Sequence, residues 1–168
     1  QSAMPALTAK RLCPHAIFLR GSYHEYSKYS RLVTQIIADS VPVYEKASVD
    51  EFYIDMTGMD RFFGVSQYTK ELREKIIRET GLPISYGLST SKLVSKMATN
   101  EAKPNGYLEV LPGKETDFLW PLTVDKIHGV GKQTQVQLHN LGIFTIEQIA
   151  KTPADQLEFH FGKWGKKL

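Results

Sequence analysis

The sequence contains a single cysteine, Cys13, in 168 residues, so no internal disulfide can staple the fold. Beside Pro14 it reads as a small, semi-buried residue rather than a nucleophile. A reducing cytosolic location suits such sparing use of cysteine, and the expected localisation is cytoplasmic. No stretch approaches the roughly 18 apolar residues of a membrane span, and no charged-then-apolar leader opens the chain. No membrane is therefore expected as a partner. Internal repeats and low-complexity tracts are also missing. Charge of one sign is scarce: 21 Lys and Arg against 18 Asp and Glu leave a net +3, which permits phosphate binding without demanding it. Gln1 is not an initiator methionine, which suggests a start inside a longer protein or after processing. What is present is globular composition, 42% hydrophobic and 23% charged, enough for one ordinary domain or two small ones.

From Tyr23 to about Ser40, apolar residues fall at Tyr26, Tyr29, Leu32, Val33, Ile36 and Ile37, the three-and-four spacing of an amphipathic helix. Two strand-like runs follow, Val43 to Ser48 and Phe52 to Thr57. Ser66 is expected to cap a second helix that runs to Thr80 and stops at Gly81. Ile84, Tyr86 and Leu88 alternate with small residues as a half-buried strand. A third helix spans about Ser91 to Glu101, and Tyr107 to Leu111 makes a further strand. The order is α-β-β-α-β-α-β. With one strand in front, its first six elements become the ferredoxin-like β-α-β-β-α-β unit. Pro112-Gly113 marks a break, and only short helices are expected from Asp117 onward. The boundary is placed near 112–117.

Three stretches carry candidate chemistry. Asp50 and Glu51 are adjacent carboxylates inside a strand-forming run, where burial without a partner is costly. Two readings stand on the residues alone: a hairpin corner facing water, or a divalent metal site. Magnesium takes a couple of carboxylates plus substrate phosphates, and two such ions can clamp both oxygens of a phosphoryl transfer. Neighbours on an ideal strand point to opposite faces, so the metal reading requires a bend around Ser48–Asp50. Lys92 and Lys96 lie four apart on one helical face, by default a solvated one. Lys103 precedes a Pro-Asn-Gly turn that fixes its backbone for meeting phosphate. Finally, Ile127-His128-Gly129-Val130-Gly131-Lys132 has two glycines flanking one apolar residue between short helices. That pattern is either a plain tight turn or a helix-hairpin-helix whose N–H groups approach a phosphate.

Ser48-Val49-Asp50-Glu51-Phe52-Tyr53-Ile54-Asp55 closely resembles the palm signature of Y-family DNA polymerases, S-[IL]-D-E-x-Y-[LI]-D. Gly87-Leu88-Ser89-Thr90-Ser91-Lys92, Lys96-Met97-Ala98 and Lys103-Pro104-Asn105-Gly106 match that family's next block in order. Ile127 to Gly131 and Phe161-Gly162-Lys163-Trp164-Gly165 are similar to its two thumb hairpins, and Ser2-Ala3-Met4-Pro5 to the tail of its fingers motif. The matches cover essentially the whole chain and lie nearest the DNA polymerase IV branch.

The resemblance implies an α+β fold: a ferredoxin-like palm whose first strand is missing from these residues, then a small all-α helix-hairpin-helix thumb. The implied division is 1–20 for a remnant of the fingers, 21–114 for the palm and 115–168 for the thumb. It further implies template-directed nucleotidyl transfer in lesion bypass during DNA repair, with Mg2+ as cofactor and primer-template DNA and a deoxynucleoside triphosphate as partners. A sliding clamp would be engaged through absent regions. Asp50 and Glu51 would be catalytic metal ligands, Lys103 would contact the triphosphate, and Gly129, Val130, Gly131 and Lys132 would bind DNA. Asp55 is expected to be structural.

Against the family pattern, the N-terminal strand with its Asp-x-Asp-x-Phe-Phe motif, the fingers residues that hold the triphosphate and the little finger are absent, so these residues alone are expected to be inactive. Two rivals are a catalytically silent DNA-binding homologue, disfavoured by Asp50 and Glu51, and a two-metal nucleotide cyclase, disfavoured by the Gly129 hairpin. An absent first strand would leave Phe52–Thr57 and Ile84–Ser89 with unpaired inner edges. Buried unpaired backbone groups cost about 1–3 kcal/mol each. The gap is therefore expected to be filled by another segment, by a second copy, or by direct closure of the two strands.

Overall fold

A computed structural model describes residues 4–59 and 64–168; Ser2 and Ala3 of the fingers-like motif lie outside them. After a short helix α1 (Ala6–Leu12), Cys13 is exposed rather than semi-buried. It ends α1, donating its backbone N–H to Ala9 O, and α1 buries none of its residues. Ser22 then caps α2 (Tyr23–Ala38), its hydroxyl accepting from Glu25 N–H. Val33, Ile36 and Ile37 of α2 are buried, whereas Tyr26, Tyr29 and Leu32 are exposed, so the buried stripe is narrower than the apolar spacing suggested.

The strands form where expected but are shorter: β1 (Tyr44–Lys46), β2 (Phe52–Ile54), β3 (Tyr86–Leu88) and β4 (Tyr107–Glu109). Helix α3 (Val65–Thr80) ends at Gly81, which is left-handed at φ 72°. Its N-cap is Gly64, not Ser66. Ser66 lies one position inside the helix, and its hydroxyl donates to Glu109 Oε1 at 2.7 Å, a partner 43 residues away that outcompetes the local cap. Helix α4 (Lys92–Ala102) is capped by Ser91, which accepts from Val94 N–H.

β1 pairs antiparallel with β2, and β3 pairs parallel with β4 through the α4 crossover. The two pairs are separate sheets. Direct closure of β2 on β3 therefore does not occur. The two pairs are bridged by helices instead, since the α2–α3 core that receives Phe52 and Ile54 also receives Ile84, just before β3. The β3–β4 half packs on α4, where Val94, Ala98 and Val110 form a second core with Leu108. Gly87 permits this approach, since a Cβ there would sit 2.2 Å from Ser95 O and 2.7 Å from Ala98 Cβ. The strands flanking the expected gap are half-buried.

After β4 come α5 (Glu115–Leu119), a 3-10 turn (Val124–Lys126), α6 (Lys132–Asn140), α7 (Ile146–Lys151), α8 (Ala154–Phe161) and a closing 3-10 segment (Gly162–Lys167). Phe118 and Leu119 of α5 pack on the Val94 core. The later helices enclose a third core around Val124, Leu138, Ile143, Ile149 and Leu157. This is the α+β class that the residues predicted, with two small sheets in place of one, followed by an all-α unit. Among the described residues, no helix is long and apolar enough to cross a membrane.

Candidate active site

The bend required around Ser48–Asp50 is present. Residues 47–51 leave the ladder as a loop joining β1 to β2. The N–H groups of Ala47 and Ser48 both donate to Glu51 O, at 2.9 and 3.2 Å, which closes the hairpin. Ser48 Oγ donates to Asp50 Oδ1 at 2.6 Å, and Asp50 N–H donates back to Ser48 Oγ at 3.3 Å. Both acids thus stand at the hairpin end, Asp50 exposed and Glu51 half-exposed. Asp55, after β2, accepts from Thr57 N–H at 2.9 Å. The Thr57 hydroxyl, and then its N–H, hold the Asp55 carboxyl below its ordinary 3.8. Its role is to fix the turn that leaves the strand.

Helix α4 lies over this hairpin and contributes two cations. Lys92 pairs with Glu45 and sits 5.3 Å from the centre of the Tyr53 ring. Lys96 pairs with Glu51. The solvated face expected for both lysines holds for Lys92 alone: its side chain is 62% exposed, that of Lys96 only 16%. Lysines one turn apart facing acids at 45 and 51 were the available signal, but sequence spacing does not say which strand a helix crosses.

Lys103 is exposed and forms the C-cap of the same helix, about 10 Å along the axis from Lys96 at 1.5 Å per residue. The turn behind it is held from α3. Arg73 Nε donates to Ile84 O at 2.8 Å, and its Nη2 donates to Asn105 O and Asn105 Oδ1 at 2.7 and 2.8 Å. Sequence reasoning did not find Arg73.

In the all-α unit, Val130 N–H donates to Ile127 O at 3.0 Å and Gly129 adopts φ 97°. Gly131 is the N-cap of α6 and supplies no side-chain acceptor, so the first N–H groups of α6 lack a side-chain cap. Gly129, Gly131 and Lys132 are exposed, while Val130 packs on the core and anchors the turn. Lys126, just before it, pairs with Glu101 of α4 at 2.7 Å and joins the hairpin unit to the sheet unit.

Residues 1–100 match the model of the impB/mucB/samB family, and residues 112–143 that of the IMS family HHH motif. The chain belongs to the impB/mucB/samB family. This impB/mucB/samB chain is 39% identical over 168 residues to a DNA polymerase IV of Dehalococcoides mccartyi, covering 99% of this chain and 43% of that protein. Against a DNA polymerase IV of Xanthomonas euvesicatoria pv. vesicatoria it is 38% identical over 172 residues, covering 100% and 47%. It spans less than half the length of these relatives. DinB from Sulfolobus solfataricus matches with a TM-score of 0.91 at 25% identity, over 99% of this chain and 50% of that one. An insertion ternary complex of Dbh DNA polymerase matches at 0.88 and 25%, over 99% and 49%. The Y-family resemblance of the motifs is borne out.

Among the described residues, no three His, Cys, Asp or Glu side chains converge to hold a metal. Asp50 and Glu51 nonetheless fit a hard divalent cation of the magnesium type. Such an ion binds through one or two carboxylates and completes its shell with water and substrate phosphate oxygens.

Proposed function

We propose that the protein is a Y-family DNA-directed DNA polymerase that performs template-directed nucleotidyl transfer in lesion bypass during DNA repair. The observation that carries this reading is the β1–β2 hairpin end, which presents Asp50 and Glu51 together beneath the lysines of α4. Asp50 and Glu51 would hold Mg2+, which when bound neutralises phosphate charge and activates the attacking hydroxyl. The chain's own part is to position and to compensate charge. Lys103 offers an ammonium to the triphosphate from a turn that Arg73 holds. Gly129, Val130, Gly131 and Lys132 offer exposed backbone N–H groups and one cation to the DNA backbone, which holds a duplex without reading its bases. In this reading residues 1–20 belong to the fingers, 21–114 to the palm and 115–168 to the thumb, and the enzyme works in the cytoplasm.

The test is primer extension by the parent protein with Mg2+, on intact and abasic templates. Asp50→Asn and Glu51→Gln should each slow extension by about 100-fold or more, the scale for removing one preorganised charge-stabilising group, with DNA affinity unchanged. Extension at the original rate by both variants would overturn the site. DNA binding with no extension by the unaltered protein would identify a silent binding homologue instead.

A further inference from the structure

The Lys96–Glu51 pair carries a consequence for metal loading. Lys96 reaches from the middle of α4 with its side chain only 16% exposed, against 43% for Glu51. A pair part-way out of water is screened less than a surface pair. The neighbouring Lys92 already has Glu45 and the Tyr53 ring, so Lys96 is the cation that α4 delivers to Glu51. A lysine head group is a compact point charge. Such a charge beside a carboxylate attracts that carboxylate and repels any second cation brought to it.

We propose that Lys96 is the resident counter-cation of Glu51: it holds this carboxylate when no metal is bound, competes with the incoming ion, and so sets the metal affinity of the site. Lys96 is thus a positioning residue, acting through Glu51. The inference rests on the reading of Glu51 as a metal ligand. It predicts that a protein without Lys96 takes up metal more tightly and is less stable before it does so.

The experiment is a Mn2+ titration of the protein at fixed ionic strength, without DNA or nucleotide, with free Mn2+ read by electron paramagnetic resonance. Thermal melts with and without Mn2+ accompany it. Lys96→Met should bind Mn2+ about three- to tenfold tighter, the scale of one partly screened ion pair. Its melting temperature without metal should be lower, and Mn2+ should raise it by more than in the unaltered protein. Lys96→Arg, which keeps the charge, should stay close to the unaltered protein, and Glu51→Gln should lose most Mn2+ binding. If Lys96→Met does not fold, Lys96→Gln makes the same comparison with a polar, uncharged side chain. Equal or weaker Mn2+ binding without Lys96, alongside loss in Glu51→Gln, would overturn the counter-cation role and leave the metal site standing. Unchanged binding in Glu51→Gln would remove the metal site and this role together.

Discussion

Arg73 and Asn105 are joined twice: one guanidinium nitrogen donates to both the backbone and the side-chain carbonyl of Asn105, at 2.7 and 2.8 Å. Asn105 is also the one described non-glycine residue with positive φ, at 49°. The turn that carries Lys103 is therefore clamped by a helix 32 residues away in sequence. Replacing Arg73 with Ala removes three hydrogen bonds and should destabilise the fold by about 1–3 kcal/mol, at the net value of such bonds. Urea unfolding measures that loss. Arg73→Lys should recover only part of it, because an ammonium lacks the planar fork. In nucleotide titrations both variants should weaken triphosphate binding more than DNA binding.

Gly87 sets how closely α4 approaches the sheet. A methyl group there meets backbone at 2.2 Å from Ser95 O, which cannot move without shifting the helix. Gly87→Ala should cost about 1–3 kcal/mol, the usual range for overpacking. The displaced helix should also carry Lys96 away from Glu51, so this variant should show a changed Mn2+ affinity although residue 87 touches no ligand. Wild-type stability in thermal unfolding would contradict the close packing.

The Gly129–Gly131 turn makes a salt-dependent prediction. Neutralising Lys132 by Lys132→Ala should weaken binding similarly across DNA sequences and lower the slope of log affinity against log salt by about one. Gly129→Ala forces a Cβ into φ 97°, a strain of about 1–2 kcal/mol, and should weaken DNA binding while leaving that slope intact. Fluorescence anisotropy from low to moderate salt distinguishes the two.

Asp55 predicts a pH effect of known sign. Its folded pKa is held below 3.8 by Thr57, so its contribution to stability is present above 3.8 and is lost as pH falls through the lowered folded value. Asp55→Ala should melt below the unaltered protein at pH 7. That difference should shrink on acidification past the folded pKa, followed by thermal melts across the acid range.

Local chemistry made much of this protein legible in its residues. Gly81 ends a helix as its residues predict and the spacing of α2 follows from the face that must leave water, whereas the cap expected at Ser66 falls to Gly64. The two acids in a run that bends at Ser48 similarly identified the hairpin end, because turn geometry depends on adjacent residues. What only the tertiary structure decided are partnerships across long separations: Lys96 with Glu51 at 45 residues, Ser66 with Glu109 at 43, Arg73 with Asn105 at 32. Each depends on which element packs on which, and packing is a collective outcome of burial that no short window of sequence encodes. The same holds for the separation of β2 from β3, which lie in different two-stranded sheets bridged by helices that contact both.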